Sequence, residues 1–146
     1  LQETLYTEDF VCIADKRHPA LRSRKLDLAR YLALPHALFT PSDDGSARGV
    51  VDAGLARLGH RRRVACTFAH IVALPHAVQG TDLIATLARR AAQRLAGDGL
   101  TLRPLPPEVD PGPFNIDMVC SRRAPGDAAL GWLQGVVRQA AARLNE

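Results

Sequence analysis

Apolar runs and polar breaks alternate along the chain at a spacing that predicts strands and helices in turn. Phe10-Val11-Cys12-Ile13-Ala14 is a short apolar run, read as a buried strand that His18-Pro19 ends. Asp27 can cap a short helix to about Leu32, with Leu28, Tyr31 and Leu32 facing inward, and Pro35 stops it. Ala37–Thr40 reads as a second strand. The turn-rich stretch Pro41–Ser46 feeds a helix from about Ala47, where Val51, Leu55 and Leu58 make one apolar face and Gly59 caps the end. Arg63–Thr67 reads as a third strand. A helix is expected over Ala69–Gln79, with Pro75 forcing a kink or a late start, and Gly80 closes it. Asp82–Leu87 is a fourth strand, Arg89–Ala96 a short helix, and Leu100, Leu102 and Leu105 mark a fifth strand.

Five prolines between Pro104 and Pro113 make a stiff connector. Phe114, Ile116, Met118 and Cys120 then alternate with Asn115, Asp117 and Val119, the pattern of a half-buried strand. A terminal helix starts near Asp127. Its stripe of Leu130, Leu133, Val136 or Val137, Ala140 and Leu144 must be covered by this lobe, another copy or further chain. Strands alternating with helices predict a parallel, helix-covered α/β sheet. In such sheets ligands sit at the carboxyl ends of strands, against helix N-termini. Two junctions qualify: Thr40–Gly49 and Thr67–His70.

The chain has 146 residues, 47% of them hydrophobic and 23% charged, which suits one globular domain and excludes wholesale disorder. No run of apolar residues is long enough to span a membrane, and Leu1–Phe10 lacks the basic start of a secretion signal. A chain that starts at Leu1 and has Met118 as its only methionine is expected to be a fragment or a processed product. The net charge of +4 comes almost wholly from arginine. The one cluster, Arg61-Arg62-Arg63, reads as a solvated edge, since no groove-reading motif accompanies it.

Three cysteines, Cys12, Cys66 and Cys120, lie far apart in apolar stretches and form no CxxC pair. They read as buried packing in a reducing cytoplasm. His70 and His76 are not at metal-pair spacing, so neither a metal nor another cofactor is expected. No catalytic motif such as GxSxG, a P-loop or HExxH occurs, and the reading is that this is not an enzyme.

The ordered set of strings resembles the C-terminal effector-binding domain of LysR-type transcriptional regulators, whose fold is that of type 2 periplasmic binding proteins. Phe10–Pro19 (FVCIADKRHP) looks like that family's first crossover strand. Gly49–Arg63 (GVVDAGLARLGHRRR) looks like its helix-Gly-Arg-strand unit, and Thr81–Leu87 (TDLIATL) like the strand closing the second subdomain. Phe114–Arg122 with Trp132-Leu133 looks like the return strand and terminal helix. The match is closest to the branch of aromatic-catabolism and nodulation regulators. Ala69, Ala88, Cys120 and Ser121 depart from that branch's usual residues, which bears on ligand specificity more than on fold.

The resemblance implies an α/β fold with a mostly parallel sheet. Subdomain two would cover about 15–112, the crossover strands 10–14 and 114–120, and the C-terminal helix 127–145. The winged helix-turn-helix and most of subdomain one would be absent. It further implies a cytoplasmic protein in which a small organic acid, aromatic acids included, binds between subdomains to control transcription. Operator DNA would be met only through the absent N-terminal domain, and the parent would be a homodimer or homotetramer without membrane contact.

At the first junction Ser42, Gly45, Ser46 and Arg48 are the candidate effector contacts. Arg48 suits a carboxylate through two parallel hydrogen bonds, while Asp43, Asp44 and Ser46 serve equally well as plain helix caps. At the second, Thr67, Phe68 and His70 are the candidates, with Phe68 stacking and His70 hydrogen-bonding. A solute-binding protein of the same fold, or a ligand-binding module of another system, stays open as the alternative.

Overall fold

The computed structural model describes residues 2–21, 25–40, 49–121 and 127–144. The chain divides into two compact units, one of residues 9–112 and one of residues 1–8 with 113–146.

The larger unit is built on five strands: β2 Phe10–Asp15, β3 Pro35–Phe39, β4 Arg63–Phe68, β5 Ile84–Ala88 and β6 Leu100–Pro104, in the order β4-β3-β5-β2-β6. β3 runs parallel to β4 and β5, while β2 is antiparallel to both β5 and β6. Four strands therefore share a direction and β2 alone opposes them, so the sheet is mixed but mostly parallel in sense. Its helices are α1 Leu28–Ala33, α2 Val50–Arg57, α3 Leu74–Val78 and α4 Arg89–Leu95.

Strand alternation sorts the core into two layers. Cys12 and Ala14 point to one face, where Tyr31, Val51, Leu55 and Ile84 bury them. Val11 and Ile13 point to the other, against Leu74, Val78, Ala85, Leu87 and Ala92. A strand buried on both faces reads as a continuous apolar run, which is why β2 was legible.

Local chemistry sets the helix ends. The Asp27 carboxylate accepts the Arg30 N–H at 2.9 Å and starts α1. A 3-10 turn at Ile71–Ala73 precedes α3, so Pro75 sits in that helix's first turn and the late start is what occurs. Gly80 follows α3 with φ +74°, a conformation that favours glycine. Its N–H donates to Asp15 Oδ2 at 2.7 Å, tying the end of β2 to that turn. Asp9, just before β2, accepts both the Nε and Nη2 of Arg89 at 2.7 and 2.6 Å.

Two expectations are corrected. Leu58 is 48% exposed, because α2 ends at Arg57 and the turn swings it off the Val51–Leu55 face. Arg62 is buried while Arg61 and Arg63 are exposed, so the basic run is not a uniform solvated edge. Phe10–Ala14 lies in β2, an inner strand of the sheet.

The partner of the return strand is β1, Gln2–Glu8, which forms an antiparallel ladder with β7, Phe114–Val119, in the smaller unit. β1 has no apolar run to announce it. Its pairing is supported by polar cross-strand contacts, such as Thr4 Oγ1 donating to Asp117 Oδ1 at 2.7 Å.

α5, Ala128–Ala142, is capped by Asp127, whose Oδ1 accepts from the Ala129 and Leu130 N–H groups. It lies against β1, where Arg138 clamps Glu3 through Nε and Nη2, each at 2.7 Å. Leu130 and Val137 are half-buried and Ala141 is buried. Leu133, Val136 and Leu144 of the expected stripe are exposed, as is Trp132 at 71%. The packed line lies one position off the expected one, so much of the apolar surface of α5 is uncovered among the described residues.

Candidate functional site

The carboxyl ends of β3 and β4 lie side by side: Leu38 opposes Thr67, Phe39 opposes Phe68, and the Thr40 N–H donates to the Phe68 carbonyl at 2.9 Å. α2 follows its N-cap Gly49, the first described residue after Thr40. Thr67 and His70 are exposed at this edge. His70 precedes the 3-10 turn in an extended conformation, and its side chain makes no capping bond. Phe68 is half-buried and packs with Phe39 and Ile71 against the second core layer, so much of its ring is committed to packing. Ser42, Gly45, Ser46 and Arg48 lie outside the described residues.

Behind this edge lies a polar cluster that the sequence reading missed. Arg62 precedes β4, and its side chain is 2% exposed. Its Nε and Nη2 donate to the two Asp52 carboxylate oxygens at 2.7 and 2.6 Å, a bidentate fork. Its Nη1 donates to Tyr31 Oη at 3.2 Å and lies 3.4 Å from His36 Nδ1. Tyr31 Oη also meets Thr86 Oγ1 at 2.9 Å. Asp52 in addition accepts the Gly49 N–H at 2.8 Å, closing the start of α2.

The proton positions follow from the partners. His36 Nε2 lies 2.8 Å from the Tyr31 carbonyl, which can only accept, so Nε2 carries the hydrogen and Nδ1 offers its lone pair to Arg62. Burial pulls the His36 imidazole down to about 4, with the Arg62 charge adding to the effect against the Tyr31 carbonyl. Burial pushes the Asp52 carboxyl up, but the Arg62 fork and charge outweigh it and leave its pKa below the ordinary carboxylate value. Burial raises the Tyr31 phenol to about 12. At neutral pH the cluster is thus one cation, one anion and two neutral rings. One signal could have disclosed it: just before a strand, alternation turns Arg62 inward when Arg61 and Arg63 face out.

A groove of about 430 Å³ runs along α2 and β4, lined in part by Gly49, Asp52, Ala56, His60 and Arg61. The smaller unit has a recess of about 240 Å³ beside the Glu3–Arg138 pair, with Met118 and Cys120 on its wall. Cys12 is buried and Cys66 and Cys120 are half-buried. No group of three or more metal-ligating side chains occurs among the described residues. His18, the other buried histidine, is occupied: its Nε2 donates to the Asp82 carbonyl at 3.1 Å and its Nδ1 accepts the Ala20 N–H at 3.2 Å.

Comparison with known proteins decides the family. Residues 2–142 match the LysR substrate binding domain. The chain belongs to that family. Its fold is therefore the type 2 periplasmic-binding-protein-like one, in line with the mixed α/β sheet described above. The transcriptional activator NahR of Pseudomonas putida is 31% identical over 133 residues, which cover 91% of this chain and 43% of NahR. The transcriptional regulator SyrM of Rhizobium meliloti is 26% identical over 141 residues, covering 97% of this chain and 42% of SyrM. The crystal structure of a probable transcriptional regulator from Pseudomonas aeruginosa superposes with a TM-score of 0.80 at 31% identity, over 94% of this chain and 43% of that one.

The chain thus spans less than half the length of these relatives. At 14% identity and a TM-score of 0.67, the effector binding domain of QuiR in complex with shikimate shares the fold alone, over 97% of this chain and 66% of that one. The family favours a regulator over the solute-binding alternative. No helix among the described residues is long and apolar enough to cross a membrane.

Proposed function

We propose that this LysR-type domain senses a small organic acid, aromatic acids included, and that the whole protein uses it to control transcription from the cytoplasm. The observation that carries the reading is the convergence of two strand ends, β3 and β4, with the first turn of α2 at one edge of the sheet. Carboxyl ends of parallel strands beside a helix start are where such sheets hold anionic ligands. Thr67 and His70 are exposed there and able to hydrogen-bond, and Arg48 precedes α2 by two positions. A fold neighbour that holds shikimate supports the chemical class.

In this reading the larger unit is subdomain two of the effector domain. Subdomain one and an operator-reading winged helix-turn-helix belong to the parent protein, which works as a homodimer or homotetramer. An effector held between subdomains favours the closed form by its differential affinity, and the shift re-aims the DNA-binding domains. The domain performs no catalysis.

The test is a titration of benzoate, shikimate and succinate against the full-length parent, read as thermal stability and operator affinity. At least one acid raises the melting temperature in a concentration-dependent way. Arg48→Ala and His70→Ala weaken that response. If no acid changes either readout and both variants behave as wild type, the sensing role is refuted.

A further inference from the structure

The groove along α2 and β4 is built from parts that the effector edge does not use. Its lining includes none of Thr67, Phe68 and His70. Leu55 and Val64 give it an apolar wall, and the small side chains of Ala53 and Ala56 leave it open along α2. At about 430 Å³ it falls within the size range of small-molecule sites.

The charges on the groove are one-sided. Asp52 is the only acid on its lining among the described residues, and the Arg62 fork and the Gly49 N–H already occupy that carboxylate. The Arg62–Asp52 pair cancels, so Arg61 sets the sign. The Arg61 and His60 side chains are exposed and make no hydrogen bond or ion pair among the described residues.

Arg62 adds a buried donor. A guanidinium carries five N–H groups. Nε and Nη2 each give one to Asp52, and the two on Nη1 face Tyr31 and His36. The second N–H of Nη2 has no acceptor among the described residues, although the side chain is only 2% exposed. Gly49 leaves space against that nitrogen: a Cβ on Gly49 would stand 3.8 Å from Nη2 and 3.5 Å from Asp52 Oδ2. A buried cation with an unspent donor therefore meets the groove where the chain has no side chain, and an anionic oxygen is the strongest acceptor for it.

We propose that this groove is a second binding site, separate from the effector edge, for a small carboxylate with an apolar body. Arg61 and the free N–H of Arg62 hold the carboxylate, and the body lies on Leu55, Ala56 and Val64. The site stands on the groove's own residues and does not depend on the effector reading given above.

The test is methyl NMR of the protein labelled with carbon-13 at alanine, titrated with benzoate and separately with inorganic phosphate. Ala53 and Ala56 report the groove, and Ala69 reports the edge. Benzoate is expected to shift Ala53 and Ala56 to saturation. Arg61→Ala raises the Kd read from them about tenfold, the usual loss for one charged hydrogen bond. Gly49→Ala fills the space beside Nη2 and raises it similarly; the backbone there, with φ −88°, suits alanine. His70→Ala leaves the Ala53 and Ala56 response unchanged. Unmoved signals from the buried Ala14 and Ala85 methyls show that each variant is folded.

No benzoate shift at Ala53 and Ala56 overturns the site, and a shift confined to Ala69 places the acid at the effector edge instead. Phosphate binding with the same Kd overturns the carboxylate class and marks a plain anion patch. Wild-type affinity in both Arg61→Ala and Gly49→Ala overturns the assigned contacts, and loss of the groove response in His70→Ala overturns its separateness.

Discussion

His36 makes the fold acid-sensitive between its ordinary and its folded pKa. The imidazole is fully buried and neutral, with a folded pKa of about 4 against an ordinary 6.5. Between those values the unfolded chain binds a proton that the folded chain does not. Stability is therefore complete above pH 6.5 and falls as pH drops from 6.5 toward 4. Linkage with these two values gives a loss of about 2 kcal/mol between pH 7.5 and pH 5.

The perturbation that isolates this is His36→Gln. The amide can still donate to the Tyr31 carbonyl but does not titrate. It also forfeits the edge-on ring contact with Tyr31, whose centroid lies 4.5 Å away, yet that cost is the same at both pH values and cancels in the difference. Urea unfolding followed by far-ultraviolet circular dichroism at pH 7.5 and pH 5 measures it. Wild type should lose about 2 kcal/mol more than the variant over this interval. Equal losses in the two proteins would show that His36 is protonated without penalty beside Arg62, and the charge assignment of the cluster would fail with it.

Two further outcomes test the packing. Leu55→Ala removes a fully buried side chain from the first core layer and should cost about 2–5 kcal/mol, whereas Leu58→Ala, 48% exposed, should change stability by less than about 0.5 kcal/mol in the same unfolding assay. Comparable losses would place Leu58 back on the buried face. In the native protein, iodoacetamide should label Cys66 and Cys120 but not Cys12, whose thiol burial pushes up to about 12. Mass spectrometry reads the sites, and labelling of Cys12 at the rate of the other two would contradict its placement.

The elements easiest to read in the sequence are those whose burial is simple. β2 is apolar on both faces, α1 carries its own cap at Asp27, and Pro75 announces a helix that starts late. β1 escaped because an exposed polar strand has no hydrophobic period, and only its cross-strand partners on β7 define it. Leu58 was misplaced because a 3.6-residue period runs on past the point where the last turn breaks it. The edge formed by β3 and β4 was legible through the strand–helix alternation, which places the two strand ends side by side without saying which side chains gather there. The Arg62 cluster was not, since five polar residues between positions 31 and 86 converge only once α1, α2 and three strands have packed.

The β1–β7 ladder carries one more implication. Glu8 and Phe114 are cross-strand neighbours in it, so the polypeptide enters and leaves the larger unit through adjacent positions. A module of about a hundred residues whose ends nearly meet can be excised, or rejoined end to end with new termini cut in a surface turn, at little entropic cost. Such an excised module carries both core layers and the buried polar cluster but none of the bare α5 surface, which makes it a tractable piece for spectroscopy in isolation.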